Sequence, residues 1–200
     1  MATKNLNDFK IKNDFPWFKN HPDLVFFDSA ATTLKPKVVI DAVTNYYQNY
    51  GTNSHSSDFP LGYETNKIYQ DTRETVAQLI KCQPNEVVFC ASTTFALNQI
   101  AYSLSFYLKP GDEILLTVSE HSSLLLPFYR LAQEKKVILK FIEVTDDGLI
   151  TIENLKKALT NKTRIVAFAN VNNSFATVND VKAITKVINN YQLKNLSEVE

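Results

Sequence analysis

The chain has 200 residues, the size of one large domain or two small ones, so it can bury a sizeable core. Its 21 basic and 21 acidic residues balance to a formal net charge of zero, which argues against a nucleic-acid or acidic-surface binder. Four glycines, Gly51, Gly62, Gly111 and Gly148, are too few and too scattered for a Walker loop or a dinucleotide G-x-G-x-x-G.

Residues 1–23 read as an N-terminal arm, polar but carrying aromatic anchors at Phe9, Phe15, Trp17 and Phe18. Met1 to Lys10 lacks the apolar centre of a signal peptide, and no stretch approaches the length needed to span a bilayer. Cys82 and Cys90 have neither metal-ligand spacing nor a disulfide framework. No metal site is expected, and a cytoplasmic setting is. Leu24–Phe27 reads as a short strand running into Asp28-Ser29-Ala30-Ala31-Thr32-Thr33, a compact loop where backbone could approach a ligand or simply enter a helix. Pro36 opens that helix, which carries Val39, Val43, Tyr46 and Tyr47. Gly51 to Gly62 has loop composition and holds His55, a residue type that is most often just solvated in such a place. Tyr63–Lys81 reads as a long helix with Ile68, Val76, Leu79 and Ile80 toward a core.

From Glu86 the pattern alternates. Strand Val87–Cys90 breaks at Ser92-Thr93-Thr94 into a helix over Thr94–Leu108, with Leu97, Ile100, Ala101, Leu104 and Leu108 at helical spacing. Strand Glu113–Val118 and helix Leu124–Lys136 follow, with Pro127 placed in the first turn of that helix. Next come strand Val137–Val144, helix Ile152–Leu159, strand Arg164–Ala169 and helix Asp180–Tyr191. Strands separated by helices indicate an α/β fold with a mostly parallel sheet and flanking helices over 24–190, and 191–200 reads as a C-terminal tail.

Ligands of such sheets sit at the carboxyl ends of the strands. Those ends deliver Ser92-Thr93-Thr94, then Ser119-Glu120-His121-Ser122, then Val171-Asn172-Asn173-Ser174. The hydroxyls and first-turn amides after the first strand suit a phosphate, although an ordinary Ser/Thr helix cap uses the same residues. The helix dipole adds only about 0.3–1 kcal/mol at an exposed site, so hydrogen bonds must supply most of the hold.

In this order the residues resemble the N-terminal half of a cysteine desulfurase, a pyridoxal-phosphate enzyme of the class V aminotransferase family. The landmarks are D-S-A-A-T-T-L-K-P (Asp28–Pro36), N-S-H (Asn53–His55), S-T-T-F-A-L-N (Ser92–Asn98), E-H-S-S (Glu120–Ser123) and V-N-N-S-F-A-T (Val171–Thr177). The resemblance implies an incomplete fold-type I large domain binding pyridoxal 5'-phosphate. It implies that Thr94, with backbone around Thr93, holds the cofactor phosphate. His121 would stack on the pyridine ring with a role in proton transfer, and Asn173 would reach the phenolic oxygen. Ala30, Ala31, Asn53 and His55 would border the substrate or the dimer-related site. The intact family takes L-cysteine, works as a homodimer, leaves alanine and an enzyme persulfide, and feeds iron–sulfur cluster assembly.

Four positions depart from the family pattern. Ser92 replaces a glycine, Phe95 an acidic residue, Ser56 an arginine and Ala176 a glycine. A side chain where φ is positive costs upward of about 1 kcal/mol, so shifted loop geometry is expected. The family's Schiff-base lysine, pyridine-nitrogen aspartate, substrate arginine and sulfur-attacking cysteine have no counterpart, because the chain stops about halfway through the pattern. A chain without that lysine is expected to bind the cofactor weakly and to be inactive alone. Unpaired strand edges and uncovered apolar helix faces are expected to make it poorly folded or prone to aggregate by itself. Three readings follow: a split or truncated desulfurase completed by a C-terminal half on another chain, a catalytically dead remnant, or a phosphate-binding flavodoxin-like module.

Overall fold

The computed structural model describes the backbone of residues 10–197 and the side chains of residues 11–191. The expected anchor Phe9 and the outer part of the expected tail lie outside the described residues. The chain divides into two compact units, Met1–Val88 and Phe89–Glu200.

In the first unit, Phe15, Trp17, Phe18 and Phe26 form an edge-to-face aromatic cluster around the short helix α1 (Pro16–Asn20), with the rings of Trp17 and Phe18 5.3 Å apart. Helix α2 (Lys37–Asn45) starts just after Pro36, whose missing N–H costs nothing at a helix start, and continues as a π turn over Tyr46–Tyr50. Helix α3 (Pro60–Ile80) begins at Pro60, three residues before the expected start, for the same reason. Between them, Tyr46 Oη donates to the Thr52 carbonyl at 2.6 Å, and the Thr52 and Thr65 hydroxyls meet at 2.6 Å. Gly62 lets this loop lie against α3, since a Cβ there would collide with the Ser56 carbonyl oxygen.

Two expected strands do not form. Leu24–Phe27 and Val87–Cys90 join no ladder among the described residues. Val87 is extended (φ −90°, ψ 122°) and its carbonyl accepts from Arg73, but a strand also needs a hydrogen-bonded neighbour. Val25, Phe27 and Val88 are 73%, 93% and 81% exposed while Val87 is buried, so most of this apolar composition lies at a surface and not in a buried strand. The expected core face of α3 is also corrected. Ile68, Leu79 and Ile80 are exposed, whereas Gly62, Thr65 and Ala77 are the buried residues of that helix.

The second unit follows the α/β alternation. Helix α4 (Thr93–Leu104) runs into a 3₁₀ turn, strand β1 (Glu113–Thr117) leads to α5 (Ser122–Lys135), and β2 (Ile138–Ile142) leads to α6 (Ile152–Ala158). Strand β3 (Thr163–Val166) and helix α7 (Val181–Ser197) complete it, α7 running past the expected end at Tyr191. The sheet is parallel, in the order β2-β1-β3.

Central strand β1 is buried along its whole length, and its period of two sends side chains to opposite faces. Ile114 and Leu116 pack with Ala101, Leu124, Phe128 and Leu131 from α4 and α5. Leu115 packs with Ile142, Leu155 and Ile184 beside α6 and α7. Apart from Ala101, each of these buried aliphatic or aromatic side chains stabilises the unit by about 1.5–3 kcal/mol before entropy is charged against it. Pro127 lies in the second turn of α5, not the first, because the helix starts at Ser122. No helix among the described residues is long and apolar enough to cross a membrane.

Candidate functional site

The first element is the start of α4. Ser92 is its N-cap, in extended backbone (φ −166°) that any residue adopts, so replacing glycine here carries no strain. Its Oγ accepts the Phe95 N–H at 3.2 Å. That leaves the amides of Thr93 and Thr94 as first-turn donors with no partner inside the helix, and both residues are exposed. Asn98, one turn on, donates to the Thr94 carbonyl at 2.9 Å.

The second element is the turn from β1 into α5. Thr117 donates to Glu120 Oε1 at 2.7 Å, and Glu120 Oε2 accepts the Ala169 N–H at 3.0 Å, so a buried carboxylate ties the end of β1 to the segment after β3. His121 follows as the N-cap of α5. Its Nδ1 accepts the Ser123 N–H at 3.1 Å and lies 2.8 Å from Ser123 Oγ.

The third element is the asparagine loop after β3. Asn172 is buried: its amide donates to the Ser119 carbonyl at 2.8 Å, and its Oδ1 accepts the Ser174 and Phe175 amides at 2.8 and 3.0 Å. Its neighbour Asn173 is exposed. Ala176 has φ +56°, so the replaced glycine does fall where a side chain is strained. The Thr177 hydroxyl bonds to the Asp147 carbonyl, and Gly148 (φ +83°) sits under the Phe175 ring, where a Cβ would stand 3.0 Å from that ring.

These elements meet in part. Thr94, Asn98, His121, Ser122, Ser123, Leu126, Pro127 and Arg130 line one cleft of about 330 Å³ between the starts of α4 and α5. Asn173 is on the loop that Asn172 ties to Ser119, but it does not line that cleft. In the first unit, Asn53 Oδ1 accepts the His55 N–H at 3.0 Å, which joins those two residues in one turn. The Ala31 and Thr32 amides donate to the Asp28 carbonyl at 3.1 and 3.0 Å, closing Ala30 and Ala31 into a tight turn. All four of Ala30, Ala31, Asn53 and His55 are exposed.

Sequence reasoning missed Asn98 and Arg130, which complete the cleft from helix interiors, and the bridging roles of Glu120 and Asn172. Asn98 and Arg130 could have been found by helical spacing, since they stand four residues after Thr94 and seven after Ser123, each on the face of its own helix that lines the cleft. Away from the cleft, at the opposite end of β1, Glu113 has a shifted carboxyl. Burial pushes that carboxyl up, but the Thr160 hydroxyl and Lys140 together outweigh it and hold it below its ordinary 4.5.

Residues 25–196 match the aminotransferase class-V family. A probable cysteine desulfurase of Ureaplasma parvum is 40% identical over 183 residues, covering 92% of this chain and 45% of that protein. A cysteine desulfurase of Synechococcus elongatus is 36% identical, covering 94% of this chain and 31% of that protein. Among solved structures, the apo cysteine desulfurase of Thermococcus onnurineus superposes with a TM-score of 0.86 at 32% identity, over 95% of this chain and 46% of that one. Cysteine desulfurase CsdA of Escherichia coli gives 0.78 at 29% identity, over 92% and 46%. The chain thus spans about half the length of the curated relatives it matches.

Proposed function

The chain belongs to the aminotransferase class-V family, and on that premise we propose that it is the half of a cysteine desulfurase that grips pyridoxal phosphate. The family is pyridoxal-phosphate dependent. The observation that carries the reading is the cleft in which Thr94 and His121 stand together at the starts of two helices. Its donor set fits a phosphorylated aromatic molecule: hydroxyls from Thr94 and Ser122, the Asn98 amide, an imidazole and the Arg130 guanidinium.

Thr94, with the first-turn amides of Thr93 and Thr94, would bind the phosphate. His121 would lie on the ring and hold or pass a proton at Nε2. Asn173 would donate its amide to the phenolic oxygen. Ala30, Ala31, Asn53 and His55 would border L-cysteine or a dimer-related site. When bound, pyridoxal phosphate supplies an electron sink for an amino-acid substrate. The lysine that anchors the cofactor and the cysteine that receives sulfur would come from a C-terminal half, on a continuation of this protein or on a separate chain. That half would also cover the exposed Val38, Val39 and Ile40 of α2. The whole protein would release sulfur from L-cysteine for iron–sulfur cluster assembly, in the cytoplasm, as a homodimer.

The test is pyridoxal phosphate added to this chain alone and to this chain mixed with the C-terminal half of a relative, read by imine absorbance. Absorbance is expected only in the mixture, and Thr94→Val together with His121→Ala should abolish it. A mixture that forms the complex without any imine band, or a band indifferent to both substitutions, would overturn the reading.

A further inference from the structure

His121 is the N-cap of a 14-residue helix, and the way it caps constrains its chemistry. A backbone amide can only donate, so the Ser123 N–H at 3.1 Å requires an unprotonated Nδ1. A neutral imidazole then carries its proton on Nε2. The Ser123 hydroxyl lies 2.8 Å from the same nitrogen and adds a second contact on that edge of the ring. Both contacts come from one residue, two positions along, whose backbone is already fixed by the first turn of α5. The ring edge bearing Nδ1 is therefore committed to the protein, Nε2–H is the end that Ser123 does not hold, and His121 lines the cleft shared with Thr94.

We propose that Ser123 is the positioning residue of His121: its amide and hydroxyl hold Nδ1 as acceptor, fixing the tautomer and ring orientation with which the imidazole meets a ligand. The proposal rests on the reading of His121 as ligand-facing, but its geometry is independent of any cofactor. Second contacts of this kind set which nitrogen of a working histidine is free. Ser123 differs in using its main chain, so part of the control survives loss of the side chain.

The test is nitrogen-15 NMR of the full chain at neutral pH, with the three histidines, His21, His55 and His121, assigned by single substitutions. A scalar coupling between the Ser123 amide nitrogen and His121 Nδ1, together with an Nε2–H tautomer, is expected. Ser123→Ala should keep that coupling and weaken pyridoxal-phosphate binding several-fold, and Ser123→Thr should restore the binding. Ser123→Pro, tolerated in a first helical turn, should lose the coupling and give a mixed tautomer. An Nδ1–H ring, or no coupling in the unsubstituted chain, overturns the proposal whether or not any variant folds. Binding that Ser123→Ala leaves unchanged also overturns the positioning role. If the coupling is present but no cofactor binds in any mixture, the cofactor reading fails and the tautomer assignment stands.

Discussion

Removing the Glu120 carboxylate should weaken the second unit far more by truncation than by neutralisation. Glu120 is 8% exposed and joins Thr117 at the end of β1 to the Ala169 amide. In Glu120→Gln the amide oxygen can keep the Ala169 N–H. The new NH₂ can face Thr117 Oγ1, whose own proton is free to turn to Ser119 Oγ, 3.0 Å away. Every polar atom stays satisfied, and only the extra strength of a charged acceptor is lost, about 0.5–1.5 kcal/mol. Glu120→Ala orphans the Ala169 N–H and removes buried side-chain carbon, which together cost about 2–4 kcal/mol. The assay is urea unfolding followed by far-ultraviolet circular dichroism at low protein concentration. Tryptophan fluorescence is the wrong probe, because Trp17 belongs to the other unit. Equal losses from the two substitutions, or a loss below about 0.5 kcal/mol from Glu120→Ala, would refute the reasoning.

Two smaller effects follow from the same unit. Ala176 holds φ +56°, so Ala176→Gly should raise the urea midpoint by about 1 kcal/mol of stability, relief of left-handed strain exceeding the added unfolded-state entropy; a fall would show that the loop relaxes elsewhere. Glu113 has a carboxyl held below 4.5 by Thr160, at 2.6 Å, and Lys140, at 3.3 Å. A lowered folded value stabilises above about pH 4.5 and is lost as pH falls through it. Glu113→Gln should therefore cost about 1 kcal/mol at neutral pH, the ion pair with half-exposed Lys140 counting for little, and nothing once the carboxyl is protonated. Urea midpoints across an acid series that stay parallel for the two proteins would contradict this.

The alternation from Glu113 onward was legible because each element carries its own signal: β-branched or aliphatic runs, helical spacing and turn residues. Leu24–Phe27 and Val87–Cys90 show the limit of that signal. Their composition suits a strand, but a ladder is a property of two segments, and periodicity says nothing about who stands alongside. The face of α3 fails in the same way: spacing identifies Ile68, Leu79 and Ile80 as apolar neighbours without showing that anything covers them. At the rim, His121 could be placed from the end of β1, and Thr94 from the hydroxyl-rich helix start at Ser92. The division of labour between adjacent asparagines could not, because Asn172 and Asn173 differ only in which one the turn points inward.

The Phe175 ring over Gly148 makes the asparagine loop hostage to a turn some thirty positions upstream. Residue 148 is closed to side chains twice over, by its backbone angle and by the aromatic ring above it, so the two sites should drift together through evolution or not at all. Trimming position 175 would remove the ring, yet the backbone angle at residue 148 would still hold that turn to glycine.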